Sequence, residues 1–228
     1  MNKAELKKLK IATEKLTKWE SSGKAFGHYH VLEAKSTNTD GADRLYEFWC
    51  LMRVMVDFKN NYNVELVSGI PAGKIFPQAP SLKKGWPYFK IEMTSDPSNK
   101  YQVCYGTKIK LSRAPKTTIA PDISIQKHDA TDDPDESMVE LIMDAKFKYN
   151  NTSALQIDQL HGFIQRVNAL ETQNADTLAL LFSTLNDIKS NCLLTNGQAL
   201  AEQEDYCKLN KIKQVEKFDI GNTYNTIG

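Results

Sequence analysis

The segment Met143-Asp144-Ala145-Lys146-Phe147-Lys148-Tyr149 carries a carboxylate and an ammonium two residues apart within an apolar run. In an extended strand, side chains two positions apart leave on the same side. Asp144 and Lys146 therefore emerge together, their Cα atoms about 6 to 7 Å apart. A second carboxylate, Asp122, opens an alternating segment in which Ile123 and Ile125 are interleaved with Ser124 and Gln126. An adjacent strand ending near Asp122 would set two carboxylates next to one lysine. Two carboxylates suit a hard divalent cation, and Mg²⁺ requires oxygen ligands at about 2.1 Å. Such a centre suits phosphodiester hydrolysis: the cation acidifies a bound water and neutralises charge on the phosphoryl oxygens. Lys146 holds the attacking hydroxide or stabilises the phosphate. The plain structural alternative for an Asp-x-Lys triplet is an ion pair on the wet face of a half-exposed strand.

These residues need elements to position them. Alternation over 138–149 assigns Leu141, Met143, Ala145 and Phe147 to one strand face and Glu140, Ile142, Asp144, Lys146 and Lys148 to the other. A helix opening at Asp43 and running to about Lys59 carries a broad apolar face of Leu45, Phe48, Trp49, Met52, Met55 and Val56. Glu47 sits among its apolar neighbours, which is costly unless that carboxylate is solvated, paired or metal-bound. Residues 63–69 read as a strand, and 88–95 with 101–111 as a hairpin about the Asp96-Pro97-Ser98-Asn99-Lys100 turn. Residues 153–171 read as a helix with Leu155, Leu160, Phe163, Ile164 and Val167 inward, 177–185 as a short buried strand, and 211–221 as strand-like. Residues 3–20 suggest an amphipathic helix, and 21–41 a turn-rich stretch around a short extended run. The expected organisation is an N-terminal helix and arm (1–41), a core (42–185) and a C-terminal extension of the same domain (186–228), with the end at Gly228 left open.

Composition limits the alternatives. The 228 residues, 41% hydrophobic and 25% charged, describe a globular chain rather than a disordered one. With 29 Lys plus Arg against 28 Asp plus Glu, no global positive field draws the chain to nucleic acid, so any phosphate attraction must be local. Four separated cysteines without a C-x-x-C pair argue against a zinc ribbon or thioredoxin-like site and fit an intracellular, cytoplasmic chain with reduced thiols. No apolar run reaches the length of a membrane span, and residues 1–16 do not read as a signal peptide.

Pro121-Asp122 followed by Asp144-Ala145-Lys146, after a helix carrying Leu45-Tyr46-Glu47-Phe48-Trp49, resembles the PD-(D/E)xK nuclease superfamily. More narrowly, the LYEFW helix with DAKFKY and IDQLHGFIQR resembles the nuclease component of McrBC-type modification-dependent restriction systems and its relatives. The resemblance covers roughly residues 42–185. It implies an α/β, restriction-endonuclease-like core, a central mixed sheet flanked by helices. It also implies a Mg²⁺-dependent endonuclease acting on DNA, with Mn²⁺ as a substitute, in restriction or defence. Asp122, Asp144 and Glu47 are then the metal-binding set, and Lys146 joins them as the catalytic lysine. Gln156, Asp158, His161 and Arg166 on the following helix, with Lys148, are outer candidates for phosphate contact or for orienting the ligands.

Two basic runs are candidates for DNA contact. Lys108, Lys110, Arg113 and Lys116 lead directly into Pro121-Asp122, while Lys83 and Lys84 are interleaved with aromatic residues in a Gly/Pro-rich stretch. Double-strand cutting calls for two centres, so a homodimer or a partner subunit of a defence complex is expected. The rival reading is a catalytically silent restriction-like domain that binds DNA or assembles a complex. A further rival is a hydrolase of RNA or a small phosphate ester, because two carboxylates and a lysine do not announce the ester.

Overall fold

The computed structural model describes residues 7, 20–21, 24–25, 39–67, 87–113, 117–170, 178–220 and 223–228. Most of the expected helix over 3–20, the extended run within 21–41, and Lys83, Lys84 and Lys116 lie outside these residues. Glu20, the last residue of that expected helix, instead belongs to a short antiparallel ribbon of β1 (Glu20–Ser21) and β2 (Lys24–Ala25).

The architecture is α/β, with few helices around a large mixed sheet. Its strands are β3 (Tyr62–Val67), β4 (Tyr88–Met93), β5 (Lys100–Tyr105), β8 (Ile123–Lys127), β9 (Val139–Lys146), β10 (Asn191–Thr195), β11 (Ile212–Glu216) and β12 (Asn225–Ile227). They are ordered β12-β11-β10-β9-β8-β5-β4-β3. A separate ribbon pairs β6 (Ile109–Lys110) with β7 (Thr118–Ile119). From β3 to β9 the neighbours are antiparallel, whereas β9, β10 and β11 are parallel. The parallel strands are linked through helices α2 (Ile157–Leu170) and α3 (Glu204–Leu209), as parallel neighbours require a crossover.

The β4–β5 turn has a local cause. Asp96 accepts hydrogen bonds from the Ser98 N–H (3.1 Å), the Ser98 hydroxyl (2.6 Å) and Asn99 Nδ2 (2.8 Å), while the Asn99 N–H closes on the Asp96 carbonyl at 3.0 Å. Pro97 supplies the fixed φ that position demands. The expected strand over 101–111 breaks after Tyr105, because Gly106 takes φ +57°, a left-handed conformation natural to glycine, and gives its N–H to the Asp122 carbonyl at 2.9 Å.

Helix α1 (Thr39–Phe58) starts four residues before the expected Asp43. Leu45, Tyr46, Phe48, Trp49, Cys50, Leu51, Met52, Val54, Met55 and Phe58 are all buried, so most of its circumference is enclosed. One apolar cluster joins α1 to Leu141, Met143 and Ala145 of β9 and to Leu178, Leu180, Phe182, Leu185 and Phe218. A second, on the other side of β9, joins Ile142 to Leu160, Phe163, Ile164 and Val167 of α2 and to Leu193. The second face of β9 is therefore not wet as the alternation suggested. Glu140, Ile142 and Asp144 are buried, as a strand covered on both faces requires.

The segment 177–185 was expected as a buried strand, but residues 178–185 join no sheet. Leu178, Leu180 and Phe182 do alternate inward, which is the pattern that suggested a strand. The backbone partners differ. The Leu181 N–H bonds the Tyr62 hydroxyl at 2.7 Å, and the buried Asp57 carboxylate accepts the N–H groups of Ser183 (2.7 Å), Thr184 (2.8 Å) and Leu185 (3.2 Å) plus the Thr184 hydroxyl (2.6 Å). Side chains of α1 and β3 take the donors a neighbouring strand would have taken.

Candidate active site

Strand β9 brings the chemistry together at its C-terminal end. It pairs antiparallel with β8 through Ile123↔Met143 and Ser124↔Ile142, a register that, carried one step further, sets Asp122 opposite Asp144. The two are stitched reciprocally: the Asp122 N–H donates to Asp144 Oδ1 at 3.2 Å, and the Ala145 N–H donates to Asp122 Oδ2 at 2.7 Å. Lys146 Nζ stands 3.2 Å from Asp144 Oδ2 and 3.8 Å from Asp122 Oδ2. Asp122, Asp144 and Lys146 thus converge, with one difference from a water-accessible edge. Asp144 is fully enclosed, whereas the Asp122 and Lys146 side chains keep 19% and 22% exposure.

Arg166, one of the outer candidates, crosses from α2 to place Nη1 at 2.7 Å from Asp144 Oδ2. These are ion pairs without the alignment of a hydrogen bond at that oxygen. Glu47 comes from α1, and its Oε2 accepts the Tyr105 hydroxyl at 3.2 Å. Tyr105 escaped the sequence reading because its partner lies 58 residues away. Its neighbours Val103 and Cys104 gave it only the look of a core strand residue.

Lys148 turns toward α2, where its Nζ bonds Gln159 Oε1 at 3.0 Å. The same oxygen accepts the Gln156 N–H at 3.1 Å, so Gln159 caps the start of α2 from its third position. Asn196 brackets the backbone of Lys148, accepting its N–H at 2.6 Å and donating to its carbonyl at 2.9 Å. The Thr195 hydroxyl bonds the Lys146 carbonyl at 2.7 Å. The polar pair closing the apolar run Cys192-Leu193-Leu194 was the signal for these two residues. Gln156, Asp158 and His161 are exposed. The His161 ring packs edge-on against Tyr206 of α3, centroids 5.5 Å apart, rather than against the carboxylates.

The basic run before Asp122 is met by the acidic loop after β8. Lys110 pairs with Asp133, and the Ser112 N–H and hydroxyl both donate to Glu136. Arg113 adds a favourable charge to Glu136. Lys110 and Arg113 therefore face carboxylates of their own chain.

Electrostatics single out the carboxylate group. Burial pushes Glu47 up to about 7; Lys146 and the Tyr105 hydroxyl pull it back, and Asp144 and Asp43 push it further. Asp122 is held well above the ordinary carboxylate range by burial, then by the charges of Asp144 and Glu47, with Lys146 and the Ala145 N–H opposing. Burial alone would lower Lys146, but Asp144 and Asp122 outweigh it and its pKa is raised. Lys148 is lowered, by burial and by Lys146. The raised carboxyl values on Glu47 and Asp122 come first from burial, with neighbouring carboxylates adding to it.

Among the described residues, no three His, Cys, Asp or Glu side chains stand grouped tightly enough to hold a metal as they are. The donor chemistry nevertheless fits a hard cation. Asp122 and Asp144 offer only oxygen, from facing positions of neighbouring strands, and Mg²⁺ commonly binds through one or two carboxylates while keeping its waters. Glu47 adjoins the pair electrostatically, while its Oε2 is held by Tyr105.

The Glu47 shift has a thermodynamic consequence. A carboxyl at 4.5 in the unfolded chain and about 7 in the folded one makes the native state bind an extra proton between those values. Its contribution to stability is complete below pH 4.5 and falls as pH rises toward 7; Asp122 acts in the same direction. Urea midpoints at pH 5 and pH 8, compared between the wild type and Glu47→Gln, are expected to show a smaller loss toward alkaline pH in the variant. Equal losses in the two proteins refute the assignment.

Comparison of the chain with protein-family models, curated proteins and solved structures gave no match. Among the described residues, no helix is long and apolar enough to cross a membrane.

Proposed function

We propose that this protein is a Mg²⁺-dependent endonuclease that hydrolyses DNA phosphodiester bonds on a restriction-endonuclease-like core. The observation that carries the reading is the convergence of Asp122, Asp144 and Lys146 across two adjacent strands, with Glu47 at their side. Asp122 and Asp144 are the residues to hold the cation, and Glu47 orients or completes the cluster. A cation held there would supply an acidified water and would neutralise charge on the phosphate. Lys146, the ammonium beside both carboxylates, stabilises the attacking oxygen and the developing phosphoryl charge. Lys148, tied to Gln159 at the start of α2, is a further positive charge near Lys146. The proposed partner is DNA, with a second copy or a partner subunit supplying the second centre for a double-strand cut.

One observation favours a second reading, a silent domain of the same fold that binds DNA or assembles a complex: Asp144 Oδ2 is already faced by two side-chain cations. Incubating the protein with supercoiled, linear and methylated DNA, with and without Mg²⁺, separates the two, with RNA and a small phosphate ester as substrate controls. Mg²⁺-dependent nicking that disappears in Asp144→Asn is the expected result. DNA binding indifferent to metal, with no cleavage of any substrate, sinks the enzyme reading.

A further inference from the structure

Both oxygens of Asp144 are occupied in the folded chain. Oδ1 accepts the Asp122 N–H at 3.2 Å, and Oδ2 lies 2.7 Å from Arg166 Nη1 and 3.2 Å from Lys146 Nζ. A divalent cation bound to Oδ2 at about 2.1 Å would adjoin two resident positive charges, and like charges that close repel strongly where water is excluded. The two residents differ in freedom. Lys146 is confined between both carboxylates, on the strand that also carries Asp144. Arg166 reaches in from α2 on a long side chain that is 30% exposed, and among the described residues its other polar bond is from its Nε–H to the Gly162 carbonyl of its own helix at 3.2 Å. Arg166 is the cation that can leave.

We infer that Arg166 is a tethered counter-cation, which neutralises and positions Asp144 in the metal-free protein and is displaced from Oδ2 when a divalent cation binds. Guanidinium and metal then compete for one oxygen. The displaced guanidinium, a planar set of donors suited to oxyanions, becomes available to a phosphate oxygen. The inference rests on the metal-centre reading above, and Arg166 acts as a positioning residue through Asp144.

The test is calorimetric titration of Mn²⁺ into the full chain at fixed pH, for the wild type, Arg166→Met and Arg166→Lys. Arg166→Met, similar in length but uncharged, is expected to bind Mn²⁺ roughly tenfold more tightly, the scale of an ordinary coupling between two ligands. Arg166→Lys, which keeps the charge, is expected to stay close to wild type. Without metal, Arg166→Met should melt below wild type, and saturating Mn²⁺ should close the gap. If the wild type binds Mn²⁺ and Arg166→Met binds it no better or worse, the inference is overturned and the metal centre stands. If neither protein binds Mn²⁺, both fall. Should Arg166→Met not fold, the wild type decides by nuclear magnetic resonance during Mg²⁺ titration. The Arg166 Nε–H signal is expected to move together with the Asp122 and Ala145 amides. Amides that shift while Arg166 stays still overturn the inference.

Discussion

On the proposed nuclease reading, Lys146→Ala is expected to lower Mg²⁺-dependent nicking of supercoiled DNA by about 10²–10³-fold, the usual cost of removing one preorganised donor from a site of developing charge. The circular dichroism spectrum is expected to stay that of the wild type, because the Lys146 side chain reaches the partly open end of the site and fills no core position. A second effect accompanies the first. The Lys146 charge opposes protonation at both Glu47 and Asp122, so its removal raises both carboxyls further and leaves fewer of them ionised near neutrality. Residual activity should therefore improve toward alkaline pH more steeply than in the wild type. Full activity in the variant would remove Lys146 from the chemistry.

The largest stability change is expected at Asp57, far from the carboxylate pair. Asp57→Ala removes one acceptor group and strands four donors, the N–H groups of Ser183, Thr184 and Leu185 and the Thr184 hydroxyl. Hydrogen bonds to a charged acceptor contribute about 1.5–3 kcal/mol each, and water entering the vacated space offsets part of the loss, so a net cost of roughly 4 kcal/mol is expected. For a domain near this size, that corresponds to a fall in Tm of roughly 8–16 °C. Asp57→Asn keeps an acceptor oxygen and should lose less. A melting temperature within a degree or two of wild type for Asp57→Ala would mean that the segment 183–185 is held by its apolar contacts instead.

What the sequence disclosed, and what it hid, follows from how local each cause is. The Asp144–Lys146 relation was legible because a strand's period of two acts within three residues. The Asp96 turn was legible for the same reason, its hydrogen bonds spanning two or three positions. Helix α2 was legible in its buried positions, Leu160, Phe163, Ile164 and Val167, because a 3.6-residue stripe needs no knowledge of what it packs on. Alternation placed Asp122 on a strand, but setting it opposite Asp144 depended on which strands pair, which no local pattern states. Arg166 was singled out as polar and helical, but its contact with Asp144 depends on how α2 docks. The strand expected over 177–185 failed instructively: alternating burial is shared by strands and by any extended segment on a core, and only the partners of its N–H groups tell them apart. Those partners sit on Asp57 and Tyr62, more than a hundred residues earlier.

Helix α1 has a predicament during synthesis. Tyr46 donates its hydroxyl to the Phe218 carbonyl, 172 residues later, Trp49 packs against the Phe218 ring, and Asp57 waits for residues 183–185. At about 5–20 residues per second, a ribosome leaves this Leu-, Met- and aromatic-rich helix without its final cover for roughly ten seconds to half a minute. Over that interval the nascent chain presents a greasy rod to its surroundings, a natural client for a holding chaperone.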